Sequence, residues 1–369
     1  MRRFPVAVTL LAVALLTHAC AVNSTSTSSP SDAGPLLTDI ESSAKLGYRI
    51  SWQSTLALPT SERVVEVKPL GDVIAVRESG NIITLIDEAT GKVRWRKLIG
   101  SGTERLGSPI RVDRELLVTS ETRAYFHRLD TGALAKALDL TRNARTSPLI
   151  MAGNMIYGGP SGRIIAQDLI HGHPHWQYQM GDAISAQPLS VGGLLFVADE
   201  SGGVAVLNPN GGGIVWRKKD PPWDRIVAQP AASDTVVYVA SLDQKLYAYE
   251  RTSGTIYWQY LTEHPLTDAP VVLEDHVYQR AKERGLVCLD ALTGAELWRS
   301  DVPGVVMQQT GDTLILRDGN VMRSIEVDSG KLIESASWPK AEMIVPASIT
   351  GGPLYLAHSD GRIMKLSPR

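Results

Sequence analysis

Short hydrophobic runs separated by glycine-centred turns follow one another along most of the chain. Residues 85–95 show the pattern: an apolar run ends at an acidic residue, a turn follows at Gly91, and the next apolar run carries Trp95 four residues later. Two short apolar segments on either side of a tight turn are typical of a β-hairpin. The pattern therefore predicts strands as the main elements of the chain.

This hairpin pattern returns with a period of about 40 residues. The turn glycines are Gly91, Gly132, Gly172, Gly212, Gly254, Gly294 and Gly330. The fourth position after the glycine holds Trp95, Lys136, Trp176, Trp216, Trp258, Trp298 and Glu334. A sustained period of this length, built from short strands, predicts repeated units that bury their faces against their neighbours.

Residues 147–178 make up one complete unit. Strands are expected at 147–151, 154–159, 163–168 and 175–178, and a proline fits the first residue of a strand, where its missing N–H costs least. Four antiparallel strands within about 40 residues form one blade of a β-propeller. The entry prolines are Pro109, Pro148, Pro188, Pro230, Pro270 and Pro346.

The two ends of the chain supply the closure of the ring. The last unit has strands near 347–349, 354–357 and 363–366 but stops before a fourth, and residues 48–56 carry a strand with Trp52. Pairing the first strand with the last blade would remove two exposed sheet edges. We therefore predict an all-β, eight-bladed β-propeller over residues 48–369. The tryptophans expected to dock between its blades are Trp52, Trp95, Trp176, Trp216, Trp258 and Trp298.

Composition and charge restrict the classes of function that this chain can have. The chain is 43% hydrophobic and 21% charged, which is enough apolar material for a large core. Its net charge is −2, and removal of residues 1–19, which hold two arginines and no acid, would make it −4. A mildly acidic chain without a basic block is not a nucleic-acid binder. Cys288 lies in an alternating strand, where a thiol acts as a small core hydrophobe.

The N-terminus has the features of an export signal. Arg2 and Arg3 precede an apolar run at 6–16, which is too short to anchor in a bilayer. Residues 16–20 resemble a bacterial lipobox, which implies a signal peptide at 1–19 and lipidation of Cys20 with a chain such as palmitate. The alternative is a plain signal peptide cleaved near Ala19 or Ala21. Residues 20–47 are expected to form a flexible tether, in which 39–46 form a short helical turn or no regular element.

The glycine–tryptophan ending of each unit resembles the PQQ-like repeat of quinoprotein propellers. Together with the lipobox, the tether, the closing strand and eight blades, it resembles the BamB family. That resemblance implies a lipid-anchored, non-enzymatic scaffold on the periplasmic face of the outer membrane, in the cell envelope. The implied partners are a BamA-like outer-membrane protein and other subunits of the assembly machine for β-barrels, with no cofactor.

Two other functions stay open at this point. The first is a different envelope propeller that binds a peptide, a polysaccharide or a signalling partner. The second, less favoured, is a PQQ-dependent dehydrogenase, since quinoprotein enzymes of this fold carry a vicinal cysteine pair and long insertions that this sequence lacks. The sequence also shows no nucleophile with an evident base.

Loops that depart from the repeat are the candidate binding sites. Trp223, Asp224 and Arg225 follow two prolines between two units, and an aromatic residue beside arginine is typical of an interface hot spot. The alternative is that Trp223 folds back onto the ring. Arg142 and Arg145 form a second, basic candidate at the entry to a blade.

One histidine-rich turn raises the question of a metal site. His171, His173 and His175 alternate there, but residues spaced by two around a turn converge poorly on one ion. We interpret this segment as a solvated turn and predict no metal site.

Overall fold

The computed structural model describes residues 34–282 and 285–369. Cys20, the expected signal peptide at 1–19 and the first part of the expected tether lie outside the described residues, so the lipidation of Cys20 stays a prediction. Within the described part, the one α-helix is α1 (Ile40–Lys45), and no helix there is long and apolar enough to cross a membrane.

Eight four-stranded antiparallel sheets make up the rest of the described chain, which confirms the predicted eight-bladed propeller. The closing strand is β1 (Tyr48–Thr55). Blade 1 holds β2 (Val64–Pro69), β3 (Val73–Glu78), β4 (Ile82–Asp87) and β5 (Val93–Leu98). Blade 2 holds β6 (Ile110–Val112), β7 (Glu115–Thr119), β8 (Arg123–Arg128) and β9 (Leu134–Asp139). Blade 3 holds β10 (Leu149–Met151), β11 (Asn154–Gly158), β12 (Arg163–Asp168) and β13 (Pro174–Gln179).

The second half of the ring repeats this order. Blade 4 holds β14 (Leu189–Val191), β15 (Leu194–Ala198), β16 (Val204–Leu207) and β17 (Ile214–Lys218). Blade 5 holds β18 (Ala231–Ala232), β19 (Val236–Ala240), β20 (Lys245–Glu250) and β21 (Ile256–Leu261). Blade 6 holds β22 (Val271–Leu273), β23 (His276–Ala281), β24 (Gly285–Asp290) and β25 (Glu296–Ser300). Blade 7 holds β26 (Val305–Thr310), β27 (Thr313–Asp318), β28 (Val321–Glu326) and β29 (Leu332–Ser337), and blade 8 adds β30 (Met343–Pro346), β31 (Leu354–Ala357) and β32 (Arg362–Pro368) to β1.

Blade 8 closes the ring by pairing the two ends of the described chain. Strand β1 lies antiparallel to β32, from Tyr48 opposite Pro368 to Thr55 opposite Arg362. The expected first strand at 347–349 is wrong, because β30 ends at Pro346 instead of beginning there. In blades 2 to 6, by contrast, the first strand begins directly after the entry proline.

The core is divided into layers between neighbouring blades. The second and third strands of a blade have both faces covered, so their residues are buried in succession, as in β19, where all five side chains are buried. The fourth strands lie at the outer rim and are largely exposed, as in β5. Each fully buried aliphatic side chain contributes roughly 1.5–3 kcal/mol to the free energy of unfolding. Because the buried side chains face neighbouring blades, most of the stabilisation lies between blades.

Six of the eight joints between neighbouring blades are closed by an indole. In each, a tryptophan of the fourth strand packs against the glycine turn between the third and fourth strands of the next blade. The indole N–H donates to a backbone carbonyl of that turn: Trp52 to Glu88 (3.0 Å), Trp95 to Leu129 (3.0 Å), Trp176 to Pro209 (2.8 Å), Trp216 to Arg251 (2.7 Å), Trp258 to Ala291 (3.1 Å) and Trp298 to Val327 (2.7 Å). A buried indole with a satisfied N–H adds apolar area without the cost of an unpaired donor.

Between blades 2 and 3, a lysine takes the same place. The Nζ of Lys136 donates to the carbonyl of Leu169 at 2.5 Å and lies 4.4 Å from the ring centroid of Phe126, the residue opposite it on β8. The ammonium group therefore meets the carbonyl that an indole N–H meets at the other joints, and the aromatic ring adds a cation–π contact.

The joint between blades 7 and 8 is built differently, because blade 8 receives its fourth strand from the other end of the chain. Residues expected to belong to the tether contribute here: Leu37 and Leu46 are buried in one cluster with Tyr48 and Trp338. Arg362 also donates to the carbonyl of Pro35. The packed structure therefore begins before residue 48, and the boundary expected there needs this correction.

Candidate partner interface

The predicted binding residues lie on one side of the ring, which we call the entry face. It consists of the loops that enter each blade, such as 140–148 and 219–230, and the turns between second and third strands, such as 199–203 and 241–244. Antiparallel succession of strands places these two kinds of connection at the same end of every blade. The glycine turns that receive the tryptophans lie at the opposite end.

Trp223 projects from a loop that the ring holds in place. Its side chain is 69% exposed, so it does not fold back onto the blades. Asp243 accepts from the backbone N–H of Trp223 at 2.9 Å and from the hydroxyl of Tyr247 at 2.6 Å, and the hydroxyl of Tyr249 donates to the carbonyl of Pro221 at 2.9 Å. Burial, followed by the bond to Asp243, raises the pKa of Tyr247, which keeps its hydroxyl a donor. The loop is thus pre-organised.

Arg225 and Arg145, from different loops, meet at one carboxylate. Glu200 lies in the intervening turn of blade 4, 2.7 Å from Arg145 and 3.3 Å from Arg225, and also accepts from the hydroxyl of Ser185. The Glu200 side chain is only 16% exposed, whereas the two arginines are 44% and 54% exposed. This group ties blades 3, 4 and 5 together and places the exposed guanidinium groups of Arg145 and Arg225 on the same side of the ring as Trp223.

Trp223 and the Arg145–Glu200–Arg225 group together are called the patch below. The remaining two predicted residues, Asp224 and Arg142, belong to the same loops. Asp224 is exposed and accepts from the backbone N–H of Arg225 at 2.7 Å, so it shapes its own loop. Arg142 is exposed in the same entry loop as Arg145, and the structure shows no ion pair of it with the described residues. The structure therefore joins Arg145 to Arg225 but leaves Arg142 outside their ion-pair group.

A cleft of about 600 Å³ opens next to the patch, between the loops that enter blades 2, 3 and 4. Hydroxyl groups and two arginines line much of it: Thr119, Ser120, Ser147, Ser185, Arg105 and Arg145. Its size is within the range of sites for small ligands, roughly 300–1,000 Å³. Arg145 borders both the cleft and the Glu200 group, so the two form one continuous surface.

Sequence reasoning missed Glu200, Ser185 and the cleft. Glu200 follows a strand as part of an acidic turn, Asp199 to Gly202, a composition that local patterns assign to turn formation alone. Its partners are 55 and 25 residues away along the chain. Only the ring brings them together.

The histidine turn is organised by Asp168. Its carboxylate accepts from the backbone N–H groups of Ile170, His171 and His173. Burial alone would raise the pKa of Asp168, but these N–H groups outweigh it and lower the pKa to about 2. The rings of His171 and His173 stack at 6.0 Å, and the described residues contain no group of three or more possible metal ligands.

Comparison with known proteins identifies the family. A family model described as outer membrane protein assembly factor BamB matches residues 49–178, 78–219, 161–270 and 200–364, which together cover most of the chain. The chain belongs to this family. The overlap of successive matches reflects the repeat, since a model of several blades fits the ring in more than one register.

Curated relatives with the same name are distant. BamB of Nitrosomonas eutropha is 22% identical over 198 residues, which are 52% of this chain and 47% of that protein. BamB of Shewanella oneidensis is 23% identical over 61% of this chain and 60% of its own length, and BamB of Yersinia pestis is 21% identical over 51% of each. The matches thus span about half to three fifths of the relatives' length.

Solved structures establish the fold at still lower identity. The crystal structure of BamB from Moraxella catarrhalis superposes with a TM-score of 0.68 at 18% identity, over 87% of this chain and 99% of that one. The computationally designed Ika8 protein reaches 0.69 at 13% identity, over 85% and 98%. A designed ring fits as well as a natural BamB, so this likeness concerns the fold alone.

Proposed function

We propose that this chain is a lipid-anchored scaffold of the cell envelope that assists the assembly of β-barrel proteins into the outer membrane. Membership of the BamB family supports the assembly role. The expected lipidation of Cys20 would place the ring on the periplasmic face of the outer membrane. The proposed role is non-enzymatic and works through protein–protein contacts, with a BamA-like protein and other subunits of the assembly complex as partners.

The observation that carries this proposal is the rigid presentation of Trp223 beside the Arg145–Glu200–Arg225 group. An exposed aromatic ring held by a pre-organised loop loses little conformational entropy on binding. The neighbouring arginines supply directional donors for acidic or carbonyl groups of a partner. An exposed tryptophan on a fixed loop has no role in packing the ring, which favours a role in binding.

The test is a crosslinked pull-down of the tagged, full-length protein from its native envelope, followed by mass spectrometry. Enrichment of a BamA-like barrel protein is expected, and a Trp223→Ala, Arg225→Ala variant should lose it. An Arg63→Ala variant, in an exposed loop elsewhere on the entry face, serves as the control and should retain it. Recovery of other partners without any BamA-like protein would overturn the proposal.

The hydroxyl-lined cleft favours one alternative, an envelope propeller that binds a peptide or a polysaccharide. Hydroxyl groups and arginines suit a polar chain better than an apolar ligand. In the same experiment, this alternative predicts partners that survive the double substitution at Trp223 and Arg225 but are lost when Ser147 and Ser120 are replaced by bulkier residues.

The anchor is tested separately. Replacement of Cys20 by serine should abolish acylation, measured by mass spectrometry of the N-terminal peptide, and should release the protein from the membrane fraction. An acyl-free N-terminus at Ala21 in the unaltered protein would favour the plain signal peptide instead.

A further inference from the structure

The fourth strand of every blade is an edge strand, with one row of backbone N–H and C=O groups that pairs with no other strand of the described chain. Such an edge pairs readily with a further extended chain unless a charged residue or a proline protects it. Seven of the eight fourth strands in the described ring carry this protection. A charged residue is present in β1, β5, β9, β17, β25 and β29, and β13 begins with a proline.

Strand β21 of blade 5 is the exception. Its sequence is IYWQYL, which contains no charged residue and no proline and consists largely of residues that favour strand pairing. The contrast is clearest directly after the docked tryptophan. Blades 1, 4 and 6 have Arg96, Arg217 and Arg299 at this position, whereas blade 5 has Gln259. The edge of β21 therefore lacks the charge that three other blades place there.

One face of β21 packs on the ring and the other is free. Trp258 is buried against the turn at Gly294, and the hydroxyl of Tyr260 accepts from Arg299 of blade 6 at 2.7 Å. Because side chains alternate along a strand, Gln259 and Leu261 project on the opposite face, where Gln259 is exposed and Leu261 is 54% exposed. The edge therefore offers backbone pairing groups beside an exposed apolar side chain.

A single turn of blade 5 holds both Trp223 and the end of β21. Asp243 accepts from the backbone N–H of Trp223 at 2.9 Å. The carbonyl of the next residue, Gln244, accepts at 2.9 Å from the N–H of Thr262, which directly follows β21. The edge of β21 is therefore continuous with the patch.

The length of β21 indicates how its edge would be used. Six residues are far fewer than the roughly 20–30 residues per side of a stable interface. Pairing at this edge alone would therefore not hold a second copy of the chain. It suits a polypeptide that makes further contacts nearby, and the patch supplies them.

We propose that the polypeptide that engages Trp223 also adds an extended segment to the edge of β21. The edge selects this class of ligand, because only an extended chain can pair with a row of backbone donors and acceptors. The exposed Leu261 favours an apolar side chain opposite it. The inference rests on the proposed partner interface, but not on the identity of the partner.

The first test places the photo-crosslinking residue p-benzoyl-phenylalanine at Leu261 of the full-length protein in its native envelope. The matched control is Leu98, which also lies three residues after a docked tryptophan and is 56% exposed, but in the charged strand β5. A third sample carries the crosslinker at the exposed Asp224, beside Trp223. Leu261 and Asp224 should capture the same protein, and Leu98 should capture it at least tenfold less.

The second test changes the edge itself. Gln259→Arg gives β21 the arginine that three other blades carry at this position, so the ring should tolerate it. It should lower recovery of the protein captured at Asp224 at least threefold, whereas Gln259→Thr should recover it like the unaltered protein. In the purified complex, amide hydrogen exchange of residues 255–262 should slow at least tenfold with Gln259→Thr and stay at the rate of the free protein with Gln259→Arg.

Several results would overturn the strand addition: no capture at Leu261, capture of different proteins at Leu261 and Asp224, equal capture at Leu98, or equal recovery and protection with Gln259→Arg. A crosslink from Leu261 to a second copy of this chain would also overturn it. Recovery of a BamA-like protein with Gln259→Arg at the unaltered level would leave the proposed function intact. Capture at both positions of one protein that is not BamA-like would support the strand addition and overturn the proposed function.

Discussion

The joint between blades 1 and 2 is packed by a docked tryptophan, whereas the joint between blades 7 and 8 is packed without one. At the first, Trp95 is only 6% exposed, donates to Leu129 and packs against the turn at Gly132. At the second, the equivalent residue is the exposed Glu334, and the turn is replaced by the residue before β1 and the residue after β32, where the N–H of Arg369 donates to the carbonyl of Gly47 at 2.9 Å.

This difference shows what the docking tryptophan requires. An indole is useful only where a continuous turn offers a carbonyl and a glycine surface. Ring closure through the N-terminal strand removes that turn, and the segment that carries Leu37 and Leu46 fills the outer part of the joint instead. The tryptophan repeat and the N-terminal segment are therefore alternative ways to join two blades.

The largest effect is expected when the docked joint is broken. Trp95→Ala should lower the free energy of unfolding by about 3–5 kcal/mol, because a large buried side chain leaves a cavity and an unpaired carbonyl. Glu334→Ala, the same position at the other joint, should stay within about 0.5 kcal/mol. Denaturant unfolding of both variants measures the contrast, and equal losses would contradict the docking role.

The second prediction concerns the segment that replaces the tryptophan. Leu37 is 1% exposed, so Leu37→Ala should cost about 2–5 kcal/mol. The neighbouring Leu36 is 42% exposed, and Leu36→Ala should have little effect. If both variants unfold like the unaltered protein, residues 35–47 behave as a tether and do not hold the joint.

The contrast between these two joints also marks where sequence reasoning succeeded. The interval between turn glycines and the tryptophan four residues later depend on contacts that recur at six of the eight joints, so they leave a periodic trace. From that trace the fold, the number of blades and the closing strand at Trp52 could all be predicted. A sequence repeat can be detected because many weak local patterns recur at the same interval.

Features that occur once left no such trace. Leu37 lies in a Ser- and Thr-rich region whose composition indicates a tether, and its burial depends on Trp338, which is about 300 residues away. Pro346 resembles the entry prolines but ends its strand, and a strand end is also a position where a proline is tolerated. For the candidate interface, the exposed Trp223 could be predicted, whereas Glu200 could not, because its role depends on loops from three blades.

The third prediction separates steric fit from backbone strain. Gly132 has φ +67° and a Cβ there would lie 2.7 Å from Trp95, whereas Gly47 has φ +80° and open space around it. Both alanine variants incur the left-handed penalty of about 1–2 kcal/mol. Gly132→Ala should cost a further 1–3 kcal/mol or so from overpacking. Comparison of their melting temperatures isolates the docking contact, and equal shifts would count against it.

The smallest effect is expected from the acids that shape the turns against which the tryptophans pack. The joint between blades 7 and 8 has no such turn. Glu250 accepts from the backbone N–H of Thr252 at 2.9 Å and of Ser253 at 2.5 Å, in the turn that receives Trp216. Burial would raise the pKa of Glu250, but these donors outweigh it and lower the pKa from 4.5 to about 2.

A carboxylate with a lowered folded-state pKa stabilises the fold at a pH above its unfolded pKa. Its contribution is therefore complete above pH 4.5 and is lost as the pH falls through about 2. Solvent screening limits it to less than about 1 kcal/mol. Glu250→Gln should be slightly less stable than the unaltered protein at pH 6, and the gap should close near pH 2. Unfolding followed at both pH values measures this gap, and a difference that persists at pH 2 would mean that packing of the side chain, and not its charge, holds the turn against Trp216.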